Sequence, residues 1–467
     1  MDNNEKLFYK KKFIWEKISQ EEKSNVFKMG EDYKSYIDSS KTERLSIKEI
    51  VRRAKEQGFV HIDELEEIKQ GTKVYFVNKE KNAVLAVIGK QDIESGMNIV
   101  GSHVDSPRLD LKQNPLYEEH GLSLLKTHYY GGIRKYQWVT IPLALYGTVI
   151  KSNGEKIEIA IGDDENDPVF YITDLLPHLA KKQNDKKLGE AIEGESLNVI
   201  IGSLPSEGKE DEKKFKLNVL KILNEKYGMI EEDFQTAELE IVPAGKSRDV
   251  GIDRGMIMAY GHDDRVCAYT SLKAILELAN PEKTAIALFV DKEEIGSVGN
   301  TGMQSQFFNN MLAELIIKQN NGKYAELSLK RALANSSMLS SDVAAGVDPT
   351  YPQVSELQNA ALMGKGVAMI KYTGSRGKSG ANDANAEYIG KLRKIFNENE
   401  VAWQPAELGK VDQGGGGTIA YIMANYNMDV VDLGVPVLSM HAPFEIVSKS
   451  DVYMTYKAYK MFYNKNI

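Results

Sequence analysis

Thr284-Ala-Ile-Ala-Leu-Phe-Val290 is an apolar run that leads straight into Asp291-Lys-Glu-Glu294. Four other stretches stop in the same way. Asn98-Ile-Val-Gly-Ser102 stops at His103, and Met256-Ile-Met-Ala-Tyr-Gly-His262 stops at Asp263. Ser337-Met-Leu-Ser-Ser341 stops at Asp342, and Val435-Pro-Val-Leu-Ser-Met440 stops at His441. Short buried runs of this kind read as strands of a mainly parallel sheet whose two faces are covered by helices. Open α/β sheets gather ligands at the carboxyl ends of their strands. Two histidines and four carboxylates would then meet on one edge, enough for two divalent metal ions.

The rest of the chain bounds this reading. At 467 residues it exceeds the size of an ordinary single core, so two domains are expected. The net charge of −8 argues against nucleic acid as the main partner. No apolar stretch approaches the length needed to span a bilayer, so no membrane partner is expected. The start, with its Tyr9-Lys-Lys-Lys12, has no following apolar region and does not read as a secretory signal. Phe13, Ile14, Ile18 and Val26 read instead as part of an amphipathic helix. A single cysteine, Cys267, excludes an intramolecular disulfide and fits a reducing cytoplasm. It lies in an apolar helical pattern and reads as a packing residue.

The ligand-type strand ends show a gap, because nothing like His103 recurs until Asp263. The interval has its own strand-like runs, Val139-Thr-Ile-Pro-Leu-Ala-Leu145, Thr148-Val-Ile150 and Leu197-Asn-Val-Ile-Ile201, and a probable helix, Asn218-Val-Leu-Lys-Ile-Leu-Asn224. The simplest organisation is one α/β domain made of residues 1–109 and 250–467, with a second domain inserted over 110–249. The polar stretch Pro205-Ser-Glu-Gly-Lys-Glu-Asp-Glu-Lys-Lys214 reads as a flexible connection inside it. Arg265 to Ala279 carries an apolar stripe that ends at Asn280-Pro281, a helix following its strand. Val452, Tyr456, Tyr459 and Tyr463 recur at helical spacing after Ser448 and Ser450, which suit caps.

Each strand-end residue has a chemical reading and a bland one. In His103-Val-Asp105, residues i and i+2 of an extended segment face the same side, so Asp105 can orient the imidazole. The bland reading is a surface His-Asp pair. Asp263 could bridge two metals, with Asp264 and Arg265 holding the turn, or it could simply cap the helix that follows. Glu293 and Glu294 repel each other unless cations or protons offset their charge. A division of labour is natural, with Glu293 as general base and Glu294 as ligand. Gly296 and Gly299 would let the backbone pass close by. Asp342 and His441 are common residue types individually, but the joint order His…Asp…Glu-Glu…Asp…His at strand ends points to a dinuclear site. Oxygen-rich ligation with one histidine per metal suits zinc, and also cobalt or manganese. Such a site does hydrolysis, and on these residues alone phosphoesters and amides are both open. Gly414-Gly-Gly-Gly417 lacks the Lys-Ser or Lys-Thr of a phosphate loop, and with Gly416 reads as a place where substrate backbone approaches the metals. His262 reads as a strand-end histidine satisfied by the backbone.

At these residues the sequence resembles the aspartyl aminopeptidase/aminopeptidase I family of dinuclear zinc exopeptidases. The matching stretches are Gly101-Ser-His-Val-Asp-Ser-Pro-Arg108, Tyr260-Gly-His-Asp-Asp-Arg-Val-Cys267, Asp291-Lys-Glu-Glu-Ile-Gly-Ser297, Ser341-Asp342 and Met440-His441. The resemblance implies a zinc-exopeptidase fold, with a mixed, mainly parallel sheet flanked by helices. It implies that His103 and Asp342 hold one metal and Glu294 and His441 the other, with Asp263 bridging and Glu293 as general base. A cis peptide bond from Asp263 to Asp264 is also implied. The insertion would be a dimerisation domain. It resembles the family again at Leu176-Pro-His-Leu-Ala180, where His178 would reach a neighbouring subunit's active site and steady the tetrahedral intermediate. A homo-oligomer, a dodecamer built from dimers, is implied as well. Lys371 stands where acid-preferring relatives keep a lysine near the substrate side chain, but Tyr372-Thr-Gly-Ser-Arg-Gly-Lys378 replaces the usual residues after it. Ala442-Pro-Phe-Glu445 replaces the family's Ser-x-Arg-Glu. Preference for acidic or neutral amino-terminal residues is therefore left open.

The expectation is a cytoplasmic metalloaminopeptidase that removes single residues from peptides with a free amino terminus. The alternatives are a carboxypeptidase or deacylase built on a related dinuclear site, or a non-catalytic assembly protein with a relic site. An intact Glu293 argues against the relic, which has no use for a base.

Overall fold

The computed structural model describes residues 7–9, 13–207 and 213–465. Residues 208–212 of the expected polar connection lie outside the described residues, as do most of the first twelve. The chain forms two compact units. One comprises the described residues up to Asp105 together with Ser247–Met440 and residues 445 onward, and the other comprises Ser106–Lys246 with His441–Phe444.

The first unit is α/β. Its larger sheet has nine strands, among which Thr284–Val290, Met97–His103, Ser337–Ser340 and Asp429–Gly434 lie side by side. These four run parallel, while antiparallel pairs appear on either side of them. The sheet is therefore mixed but parallel at the strands that end near His103 and Asp342 and before Glu293. Alternation along the strands supplies both faces with apolar side chains. Val100, Ala287, Phe289 and Leu339 join a core with Tyr33, Tyr269 and Tyr459 from the helices on one face. Ile99, Ile286, Leu288 and Met338 join a core with Phe308, Leu312 and Leu315 on the other.

Two of the five runs do not belong to this sheet. Met256–Ala259 and Pro436–Leu438 lie in a separate five-stranded sheet, with Glu445–Ser448 between them. The strand that borders Ser337–Ser340 is instead Asp429–Gly434. Its Asp432 is buried and interrupts the apolar run that would have announced it. The five expected strand ends thus belong to two sheets rather than one.

The amino-terminal helix is shorter than its apolar pattern suggests. Ser19 accepts the Glu22 N–H and starts the helix at Gln20, leaving Phe13 and Ile14 outside it. Ile14 instead donates its N–H to the Gly364 carbonyl. The carboxyl-terminal helix runs Lys449–Tyr463 after Ser448. Among the described residues, no helix is long and apolar enough to cross a membrane.

The second unit holds a six-stranded antiparallel sheet and the helix Lys214–Tyr227. The two runs at 139–145 and 148–150 become one strand, Leu143–Ile150, which starts after Pro142 because proline has no N–H for the ladder.

Candidate metal centre

His103 is the last residue of its strand and is buried. Its Nδ1 lies 3.0 Å from the Asp105 carbonyl oxygen and 3.3 Å from Asp105 Oδ1. A carbonyl only accepts, so Nδ1 carries a proton and Nε2 is the nitrogen turned to the other carboxylates. That Nε2 stands 3.2 Å from Asp263 Oδ1 and 3.9 Å from Glu293 Oε2. Burial disfavours the imidazolium, but the Asp105 and Asp263 hydrogen bonds and the Glu293 charge outweigh it and hold the pKa well above the usual histidine value. The imidazole therefore sits in a concentration of negative charge.

Asp263 follows Gly261, which takes the left-handed conformation with φ of 77°. Asp263 and Asp264 have non-helical backbone angles, so the regular helix begins only after them. The peptide bond between them is cis, as the resemblance implied. Asp263 donates its N–H to Glu445 Oε2 at 3.1 Å, and His103 donates its own to Asp264 Oδ2 at 3.3 Å. Burial, and then the Asp342 charge, push the Asp264 carboxyl well above the usual range. Burial does the same to Asp342, with His103 opposing and Asp263 and Glu293 adding to the rise.

Glu293 and Glu294 form a short turn just after the Thr284–Val290 strand. Lys292 and Gly296, with φ of 67° and 96°, bend the chain at its two ends. The turn is held from one side. Asp105 Oδ1 accepts the Glu293 N–H and Oδ2 accepts the Glu294 N–H, both at 3.2 Å. Asp105 thus orients the histidine and fixes both glutamates. Gly296 and Gly299 serve by their positive φ, since nothing stands within 4 Å of a Cβ at Gly296. Their role is conformational rather than to permit close passage.

The strand ends bring ligand atoms together in two groups. His103, Asp263 and Asp342 offer atoms all within 4.8 Å of one another, and so do Asp263, Glu294 and His441. His441 follows Pro436–Leu438, with φ of 64°, and its Nδ1 donates to the Gly132 carbonyl at 2.9 Å. In both histidines Nδ1 is taken up by a carbonyl oxygen, so a metal ion would bind at Nε2. A tetrahedral zinc site with bonds of about 2.0–2.1 Å has edges of about 3.3 Å, against 3.2 Å between His103 Nε2 and Asp263 Oδ1. Two imidazole nitrogens and crowded buried carboxylates, whose mutual repulsion a cation would offset, are the donor set such an ion takes, so the residues fit zinc.

The remaining expected residues are in neither donor group. His178 is exposed on a turn of the second unit. Lys371 follows Val367–Ile370, half exposed, with Nζ 3.9 Å from Asp383 Oδ1. Gly416 is exposed and donates its N–H to the Thr373 carbonyl. His262 is satisfied as expected. Its Nε2 donates to the Ile257 carbonyl at 3.1 Å and its Nδ1 accepts from the Tyr33 hydroxyl at 2.5 Å. Burial lowers its pKa to about 3, so it stays neutral. Cys267 is buried, and burial pushes its thiol pKa well up, which leaves it a packing residue. Asp264 was expected to hold its own turn, and sequence reading missed that it also accepts the His103 N–H. The holding role of Glu445 was missed altogether, its only signal being a carboxylate at the edge of a ligand-type stretch.

Comparison with known proteins gives one consistent result. The family described as aminopeptidase I zinc metalloprotease (M18) matches residues 36–463. A probable M18 family aminopeptidase 1 of Clostridium acetobutylicum is 54% identical over 97% of this chain and 98% of its own length. The crystal structure of an M18 aminopeptidase from Thermotoga maritima superposes with a TM-score of 0.94 at 47% identity, over 98% of this chain and 100% of that one. A structure of the S. cerevisiae mApe1 dodecamer, 19% identical over 94% of this chain and 97% of its own, shares the fold with a TM-score of 0.75.

Proposed function

The chain belongs to the M18 family of zinc-dependent aminopeptidases, and from that membership we propose how its residues divide the work. His103 and Asp342 hold one zinc ion, Glu294 and His441 hold a second, and Asp263 is shared between them. The observation that carries this is that two groups of three donors converge and have Asp263 in common. Cobalt or manganese would find the same oxygen-rich donors acceptable. When bound, zinc supplies Lewis acidity, lowering the pKa of water and polarising a carbonyl.

Glu293 is left outside both donor groups but within 3.9 Å of His103 Nε2. It takes a proton from the attacking water and returns it to the leaving amine. Asp105 supports this by gripping the Glu293 and Glu294 N–H groups together with the His103 ring. A free substrate amine is positively charged and is drawn to the ligand carboxylates, which accounts for removal of single residues. Gly416 lies where substrate backbone passes. Lys371 favours an acidic side chain, and Asp383, which also pairs with Lys378 at 3.1 Å, opposes it.

The inserted unit serves dimerisation, and the subunits assemble as a homo-oligomer, a dodecamer like that of mApe1. Leu175, Leu176 and Leu179 around His178 are all at least half exposed, which supports burial there by another copy. In the assembly His178 serves the neighbouring subunit and steadies the developing oxyanion. A lone buried cysteine supports placement in the cytoplasm.

The test is hydrolysis of Asp-, Glu- and Leu-led dipeptides, with amino-terminally acetylated controls, by the zinc-loaded protein and its Glu293→Gln variant. Only free peptides should be cut, and their ranking decides between Lys371 and Asp383. Glu293→Gln should keep its zinc and lose about 10²–10⁴-fold in turnover. Wild-type turnover by that variant would remove Glu293 from the role of base.

A further inference from the structure

Glu445 opens the strand Glu445–Ser448, which pairs antiparallel with Met256–Ala259 and sets Glu445 opposite Ala259. The strand Met256–Ala259 is the one that leads into Asp263. Glu445 is nevertheless 1% exposed, an uncommon burial for a carboxylate. Its Oε2 accepts the Asp263 N–H at 3.1 Å. Asp263 lies past the end of its strand and has non-helical backbone angles. Neither ladder nor helix fixes that N–H, and a side chain does so instead.

The same device recurs around the centre. The His103 N–H goes to Asp264 Oδ2, and the Glu293 and Glu294 N–H groups go to Asp105. Asp105 and Asp264 are fully buried, like Glu445. None of the three belongs to either donor group. Hydrogen bonds from N–H to a carboxylate are stronger than those to a neutral acceptor, and they hold direction. Glu445 also lies close enough to Tyr33 for its charge to add to the effect of burial in raising that hydroxyl's pKa. The Tyr33 hydroxyl in turn donates to His262, the residue before Asp263.

We propose that Glu445 is a positioning residue for zinc, holding the shared ligand Asp263 by its main chain so that one carboxylate can serve both donor groups. This rests on Asp263 being a zinc ligand, as proposed above.

The experiment is competition for zinc between a chromophoric chelator and the full-length protein, in Asp263→Ala, Glu445→Ala, Glu445→Asp and Glu445→Gln. Activity against added zinc is followed in parallel, and circular dichroism checks the fold. Glu445→Ala removes the acceptor, and Glu445→Asp draws it back by one methylene. Both should weaken zinc binding by about 10- to 100-fold, the usual cost of losing a partner that orients a ligand. Added zinc should restore their turnover, with a midpoint displaced by the same factor. Glu445→Gln keeps an oxygen in place and should keep most of the affinity, which separates the acceptor from the charge.

Folded Glu445→Ala or Glu445→Asp protein with wild-type zinc affinity overturns the inference. So does Glu445→Gln that folds but loses zinc as far as those variants do. If Glu445→Ala does not fold, the Asp and Gln pair decides alone. Asp263→Ala tells the two readings apart. If it keeps both ions, the ligand assignment fails. If it loses them while the Glu445 variants do not, only the positioning role fails.

Discussion

Gly434 has no room for a side chain. A Cβ there would lie 1.8 Å from the Asp342 carbonyl oxygen and 3.1 Å from Cys267 Sγ. Gly434→Ala must therefore push the Asp342 turn away from its place beside the sheet. We expect a loss of about 1–3 kcal/mol in stability from overpacking, together with weakened zinc binding. Thermal unfolding and zinc content would measure the two effects, and a wild-type zinc content would separate Asp342 from the metal. At this scale the convergence of His103, Asp263, Glu294, Asp342 and His441 was legible because each stands at the end of an apolar run. Their long-range supports were not. Asp264 read as holding its own turn, but its bond to the His103 N–H and that of Glu445 to the Asp263 N–H join residues 161 and 182 positions apart and leave no local pattern. Asp105 was legible as the partner of His103 because i and i+2 share a strand face. Its grip on Glu293 and Glu294 spans 188 and 189 positions and was not.

The carboxyl-terminal helix Lys449–Tyr463 carries a carboxylate on its first turn that is bound in an unusual way. Asp451 is fully buried and accepts the N–H groups of Gly364 and Gly366 at 2.7 and 2.8 Å. Burial nevertheless wins, and its pKa rises from 3.8 to about 7. The folded protein therefore binds a proton that the unfolded chain releases. That contribution to stability is complete below about pH 4 and is lost as pH rises through about 7. Asp451→Asn cannot ionise and gives up one acceptor at every pH. Its melting temperature relative to the wild type should therefore rise from about pH 5 to about pH 8. A constant difference would show that Asp451 does not titrate in that window. The helix itself was legible from its aromatic spacing after Ser448, as was Thr284–Val290 from its unbroken apolar run. Asp429–Gly434 was not, because buried Asp432 splits it. The place of Pro436–Leu438 in a second sheet was not either, since strand partners are chosen by packing across the whole unit.

At the scale of the whole molecule, the proposed trans role of His178 has a consequence that no single-chain experiment can reach. His178→Ala and Glu293→Gln should each be nearly inactive. Co-expressed in equal amounts, they should regain about a quarter of wild-type activity, because that share of sites pairs an intact Glu293 with an intact neighbouring His178. Peptidase assays on the co-purified oligomer would show it, and an inactive mixture would place both residues in one subunit's service. The gap between ligand-type strand ends led to an insertion over 110–249, and the second unit spans Ser106–Lys246 with the added segment His441–Phe444, which no gap could announce. The same gap has an effect in time. The sheet pairs Met97–His103 with Thr284–Val290, strands from either side of the insertion, and the proposed donors run from His103 to His441. A chain emerging from the ribosome thus displays its first donor long before its last. With the donors assigned as proposed, the second donor group could not be complete until translation had passed His441, so a nascent chain would lack the full site.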